Sequence, residues 1–355
     1  MLDAAQFRAL VSGERRGPLA TATRAILRAA EVPYTWGVAH RNRRYDAGRA
    51  AVHRVEVPVV SVGNLTLGGT GKTPAVAWLA RWFRQKGTRV AIVSRGYGAE
   101  AGARNDEALE LEQRLADVPL VQNADRVAAA RVAIDELDAE LLVADDAFQH
   151  RRLARDLDLV LLDALEPFGY QHVFPRGMLR EPPEGLARAD VVALSRADLV
   201  SADARAAVRR RVASLAPAAR WIETRHAPER LLSAAGSTAP LAVLAEGRVA
   251  AFCGIGNPEG FRQTLAACGC RCVAWREFPD HHAYARDDIA SLAAWARQHE
   301  ADRIVSTHKD LVKIGVEQLG GCPLWALAIG WEVLEGGERL EAMLRDVHAR
   351  TVRRG

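Results

Sequence analysis

Val57-Pro58-Val59-Val60-Ser61-Val62-Gly63-Asn64-Leu65-Thr66-Leu67-Gly68-Gly69-Thr70-Gly71-Lys72-Thr73-Pro74 is an apolar run that breaks into a glycine-rich loop and then into a helical pattern. Residues 57–62 are nearly all apolar and β-branched, which suits a strand buried on both faces of a parallel sheet. In the loop, glycines let backbone N–H groups turn inward around phosphate oxygens, and the helix behind it adds the positive end of its dipole. Lys72 at this spacing reaches the β- and γ-phosphates, and the Thr73 hydroxyl is a ligand for Mg²⁺. Pro74, at the first helical turn, gives up no donor that the helix needs. Thr66 stands where the G-x-x-x-x-G-K-[ST] pattern opens with Gly. Thr66, Leu67, Gly68, Gly69, Thr70, Gly71, Lys72 and Thr73 therefore read as a nucleoside-triphosphate site.

Outward from that loop the chain keeps a β–α rhythm. Strands are expected at 57–62, 89–93, 141–144, 159–162 and 191–194, with helices at 74–85, closed by Gly87, and at 126–137. The fold class is α/β, a doubly wound parallel sheet of the P-loop NTPase type. A second set starts near Arg248, with strands at 249–252, 272–275 and 303–306 and helices at 259–267 and 287–299. Between the two sets, residues 223–247 are rich in Pro, Gly, Ser and Ala and read as a connection. Strand 141–144 ends in Asp145-Asp146-Ala147-Phe148-Gln149-His150. Carboxylates at the carboxyl end of a buried strand stand where a metal partner of the phosphates is needed, so Asp145 and Asp146 join Thr73 as metal candidates.

Composition bounds the function. Hydrophobic residues at 49% and charged residues at 26% are globular values, which exclude disorder and collagen-like structure. No apolar stretch is long enough to span a bilayer, no secretory leader is expected, and five cysteines form no disulfide framework. Of 48 basic residues only four are lysines, namely Lys72, Lys86, Lys309 and Lys313. The formal charge of +4 is local: residues 1–54 carry ten arginines against four acids, or +6, which leaves −2 for the rest. In that segment Leu19, Ile26, Leu27, Tyr34 and Trp36 mix with arginine, a pattern suited either to an anionic bilayer surface or to a helix with a solvated arginine face. No nucleic-acid-binding motif accompanies the patch.

Several motifs occur in the order seen in tetraacyldisaccharide 4'-kinases, which the chain resembles from about residue 10 to 345. They are Gly63-Asn64-Leu65-Thr66 with its loop, Ser94-Arg95-Gly96-Tyr97-Gly98, Asp145-Asp146-Ala147-Phe148-Gln149-His150 and Met178-Leu179-Arg180-Glu181. Asn105-Asp106-Glu107, Asp280-His281 and Thr307-His308-Lys309-Asp310 add to the likeness. Ala147, Asn105 and the absence of Pro after Glu107 depart from the family pattern, which puts loop geometry rather than reactive groups in question.

The resemblance implies ATP and Mg²⁺ as cofactors and a lipid A disaccharide precursor as acceptor, phosphorylated at its 4'-hydroxyl. It implies association with the cytoplasmic face of the bacterial inner membrane, and a second, smaller α/β/α domain joined by a strand hinge. The expected layout is a basic helical segment over 1–55, a kinase domain over 56–222 completed by a helix near 333–352, a connection over 223–247, a second domain over 248–318 and a return strand over 319–332. It further implies Asp106 as the base for the hydroxyl, with His281 beside it from the other domain, so that closure assembles the pair. Arg180 would bridge the phosphates and the entering oxygen, for which an exposed Arg–Glu pair is the alternative reading. Glu181 would join the metal shell through water, and Ser94 and Arg95 would border the phosphate crevice. Gln149 and His150 support the site.

Two further patterns compete for attention. Cys268, Cys270 and Cys272 put three sulfurs on one face if they lie on a strand, and read as small buried hydrophobes rather than a metal site. Ser195-Arg196-Ala197-Asp198 is loosely like the N-K-x-D guanine reader, so a GTP-driven switch or metallochaperone is the rival function.

Overall fold

The computed structural model describes residues 4–96, 106–280 and 282–352. Two helices open it, α1 (Ala4–Ser12) and α2 (Pro18–Asp46). There follow β1 (Val59–Asn64), α3 (Lys72–Arg84), β2 (Val90–Ser94), α4 (Asp106–Arg114), β3 (Leu120–Gln122), α5 (Arg126–Asp135), β4 (Leu141–Asp145), β5 (Leu157–Asp163), β6 (Val191–Ser195) and α6 (Ala202–Leu215). Next come β7 (Arg220–Leu232), β8 (Thr238–Ala239), β9 (Val249–Cys253), α7 (Pro258–Ala267), β10 (Cys272–Glu277) and α8 (Arg286–Gln298). The chain closes with β11 (Arg303–Thr307), α9 (His308–Ile314), β12 (Gln318–Leu319), β13 (Cys322–Glu335) and α10 (Gly337–Val352). The class is mixed α/β with mostly parallel strands.

The described residues form two compact units: 4–96, 117–226 and 331–352 in the first, 106–116 and 227–330 in the second. In the first unit β6, β5, β1, β4, β2 and β3 lie in that order and run parallel, with the start of β7 beside β6. Every residue of β1, β2, β4 and β6 is buried, which explains why these strands read as unbroken apolar runs. One core cluster gathers Leu65, Phe148, Val160, Leu162, Phe168 and Leu194. Another packs small residues of α5, Ala129, Ala130 and Ala133, on Ala91, Val93, Leu142 and Ala144. Small side chains there let helix and sheet approach closely. The register sets Val62 of β1 opposite Asp145 of β4, so the phosphate loop and the acidic pair leave neighbouring strands at the same end. That is the ligand-binding end of an open parallel sheet.

In the second unit β10, β9, β11 and β13 run parallel in that order. Phe252, Leu292, Ile304, Leu311 and Leu324 anchor one of its cores.

Two features differ from the sequence reading. Residues 223–247 are not simply a connection: β7 continues through them to Leu232, because Trp221 and Ile222 are buried near one end and Leu231 and Leu232 at the other. Residues 106–116, which the reading kept with the first domain, belong to the second unit, since α4 buries Ala108, Glu110 and Leu111 and packs on α9.

Candidate active site

The phosphate loop is held from several sides. Gly71, at φ 84°, adopts the left-handed conformation that turns the chain into α3, and a Cβ there would fall 1.9 Å from Nε2 of His226. The His226 ring in turn lies 3.1 Å from Ser195 Oγ. Asn64 donates from Nδ2 to the Thr66 carbonyl at 2.8 Å and fixes the loop's entry. The segment ending in Arg180 is tied to the same entry: Leu67 N–H donates to the Met178 carbonyl and Arg180 N–H to the Leu65 carbonyl, each at 2.7 Å. Arg196 donates to the Gly69 carbonyl at 2.6 Å and pairs with Asp163 at 3.0 Å, so the residue that loosely matched a guanine reader is engaged with the loop.

Those backbone bonds bring Arg180 to the acidic pair. Its Nη1 donates to both oxygens of Asp146, at 2.8 and 2.9 Å, and Lys72 Nζ lies 3.5 Å from Asp146 Oδ1. Burial by itself would raise the Asp146 carboxyl, but Lys72 and Arg180 outweigh it and hold the group below the usual carboxylate range. Asp146 sits at φ 48°, just beyond the end of β4, and Asp145 is buried beside it. Thr70, Lys72 and Thr73 are buried too. Ser94 ends β2, buried, with its carbonyl accepting from Asn123 N–H at 3.0 Å, and Arg95 follows it. Arg126, buried near Asp146 and Asp145, adds another positive charge to this end of the sheet.

Glu181, next to Arg180, is fully buried. Arg188 donates to both of its oxygens at 2.8 and 2.9 Å, Asn42 to Oε2 at 2.9 Å and Gln149 to Oε1 at 3.0 Å. Gln149 also reaches the Asn64 carbonyl at 2.9 Å. Glu181 thus links α2, the acidic-pair loop and the loop entry. His150 is kept neutral: burial and then Arg126 push its pKa down to about 4.

Asp106 is the first residue of α4, in the second unit, where its Oδ2 lies 2.9 Å from Lys313 Nζ. His281 lies outside the described residues. Its neighbours are well held: His282 Nε2 is 2.9 Å from Asp288 Oδ2, which also accepts from Ala285 N–H. Tyr284 donates to Asp310 Oδ1 at 2.9 Å, while Thr307 and Gly254 N–H donate to Oδ2 at 2.6 and 3.1 Å. Asp106 and the residues flanking His281 therefore belong to one unit, not to two as expected, because α4 packs on α9.

The sequence reading gave Lys313 no role; its four-residue spacing from Lys309 on one helix was the available signal. Asn42 and Arg188 gave none, since their partner Glu181 is distant in the chain. The cysteines do not share a strand: Cys268 caps α7, Gly269 turns the chain and Cys272 starts β10. Burial pushes the Cys270 thiol up to about 11, and no group of three or more His, Cys, Asp or Glu side chains placed to hold a metal occurs among the described residues.

The family described as LpxK, tetraacyldisaccharide-1-P 4'-kinase, matches residues 23–349. A tetraacyldisaccharide 4'-kinase of Anaeromyxobacter dehalogenans (strain 2CP-C) is 41% identical over 350 residues, covering 93% of this chain and 92% of that protein. One from Geobacter sulfurreducens is 35% identical over 365 residues, covering 96% and 98%. Among solved structures, the "apo" form LpxK from Aquifex aeolicus in complex with ATP superposes with a TM-score of 0.75 at 27% identity, covering 92% of this chain and 99% of that one. With a phosphate loop, an adjoining acidic pair and an arginine tied to both, the chain belongs to the tetraacyldisaccharide 4'-kinase family.

Proposed function

We propose that this protein is an ATP-dependent kinase that moves the γ-phosphate of ATP onto the 4'-hydroxyl of a tetraacyldisaccharide 1-phosphate, giving lipid IVA. The observation that carries the reading is the convergence of Lys72 and Arg180 on Asp146, beside the phosphate loop.

Phosphoryl transfer asks the protein for positioning, charge neutralisation and a base. The loop from Thr66 to Thr73 cradles the phosphates with its backbone N–H groups, and Lys72 and Arg180 stand ready for the γ-phosphate charge. Ser94 and Arg95 border the phosphates. Thr73, Asp145 and Asp146 are hard oxygen donors on neighbouring segments and fit Mg²⁺, which when bound neutralises charge on the β- and γ-oxygens. Glu181 supports this group by holding Arg188 and Gln149. A sugar hydroxyl is far too weak an acid to ionise near neutral pH. Asp106 takes its proton as it attacks, and His281 orients the carboxylate.

The lipid acceptor implies a membrane surface. Among the described residues no helix is long and apolar enough to cross a bilayer. On α2, Leu19 (74% exposed), Ile26 (69%) and Trp36 (69%) face outward among Arg24, Arg28, Arg41, Arg43 and Arg44. We read this helix as lying on the anionic cytoplasmic face of the inner membrane, with its apolar side chains in the interface.

The test is transfer of label from γ-³²P-ATP and, separately, γ-³²P-GTP to a tetraacyldisaccharide 1-phosphate in mixed micelles. Label should reach the lipid from ATP. GTP hydrolysis with no labelled lipid would overturn the kinase reading.

A further inference from the structure

Lys313 lies in the last turn of α9, with its side chain only 10% exposed, and its Nζ is 2.9 Å from Oδ2 of Asp106. The approach is off the hydrogen-bonding axis, so the link is an ion pair. Other contacts already dock α4 on α9. Leu111 and Leu311 are buried, His308 Nε2 meets Gln113 Oε1 at 2.6 Å, and His308 Nδ1 lies 3.8 Å from Glu110. Docking thus leaves the Lys313 ammonium to Asp106. Burying an ammonium is expensive, and an apolar side chain at such a site is often as stable or more so. A lysine retained there, in a chain that carries arginine at nearly every other basic position, points to a task for a compact charge.

Among the described residues, the charged and titratable groups near Asp106 lie on α4 and α9. On its own helix stand Glu107 and, one turn on, Glu110; from α9 come Lys313, Lys309 at 4.0 Å from Glu107, and His308 at 3.8 Å from Glu110. The remaining charge of that helix, Asp310, is fully buried against Tyr284, Thr307 and Gly254. Lys313 is a cation in ion-pair contact with the Asp106 carboxylate.

We infer that Lys313 is a positioning residue for Asp106, holding its carboxylate ionised and in one rotamer for the acceptor hydroxyl. The inference rests on the assignment of Asp106 as base.

The experiment compares Lys313→Met, Lys313→Arg and Asp106→Asn in the full chain, reading kcat, KM for ATP and lipid, the pH dependence of kcat, and the melting temperature. Lys313→Met should lower kcat on the order of tenfold with KM for ATP unchanged. Its acid limb should move to higher pH, because a lost neighbouring cation makes a carboxylate easier to protonate. Lys313→Arg, which keeps the charge but not its compactness, should restore the limb and only part of kcat. If Lys313→Met lowers the melting temperature but leaves the limb in place, Lys313 is a docking residue and the inference fails. If Asp106→Asn is inactive while Lys313→Met behaves as wild type, the inference fails and the base assignment stands. Normal turnover by Asp106→Asn removes the base assignment, and the inference with it.

Discussion

Phe148 closes over Gly63 so tightly that a Cβ on Gly63 would lie 2.5 Å from the Phe148 Cβ. Gly63 is in β1, just before the phosphate loop, and Phe148 stands two residues beyond Asp146. The missing side chain is what lets the two segments approach. Gly63→Ala is expected to destabilise the protein by about 1–3 kcal/mol through overpacking. ATP affinity should fall with it, since relief requires Phe148, and hence Asp146, to shift. Chemical denaturation and nucleotide titration would check both.

Arg180 is joined to the loop entry through its backbone and to Asp146 through its side chain. Arg180→Ala is expected to lower kcat by on the order of 10³, as loss of a charge-stabilising arginine does elsewhere, with a much smaller change in KM for ATP. Arg180→Lys should recover only part of this, because an ammonium lacks the fork of the guanidinium. Steady-state kinetics at saturating lipid would measure it.

His308 is buried and neutral, its pKa pushed down to about 4 by burial against the opposing pull of Glu110. Between about pH 6.5, where a free imidazole titrates, and about pH 4, the unfolded chain binds a proton that the folded one refuses. Stability is therefore complete above that window and is lost as pH falls through it, by about 1.4 kcal/mol per pH unit for this group. His150, shifted the same way, adds to the slope. Urea unfolding at several pH values should show the slope, and His308→Asn should flatten it.

The apolar side chains on α2 predict a surface interaction that depends on both charge and apolar contact. Removing residues 1–45 should abolish sedimentation with vesicles containing anionic lipid. Trp36→Ser with Ile26→Ser should weaken it while leaving its salt dependence in place. Full-length binding should decline between low salt and physiological salt, as screening over about 8 Å predicts.

The first unit's parallel strands were legible because strands such as β1, β4 and β6, buried throughout, must be apolar at successive positions. β7 was not, since Arg225, Glu229 and Arg230 interrupt it and only its ends reach a core. Glycine, lysine and paired acids announced the phosphate loop and Asp145–Asp146 through local spacing. The partners of Glu181 left no such trace: Asn42 and Arg188 meet it only once the chain has folded, and an isolated Asn or Arg carries no mark of its destination, whereas Lys313 showed only its four-residue spacing from Lys309. The helix α4 misled for a related reason. Its position in sequence is between β2 and β3, yet its buried face was made for α9.

The clamp on Asp146 also sets how the loop can fill. With Lys72 and Arg180 both turned toward that carboxylate, the two cations already have an anion to face. Asp146 serves as an internal placeholder. The carboxylate thereby keeps buried Lys72 and half-buried Arg180 from facing each other with no anion between them.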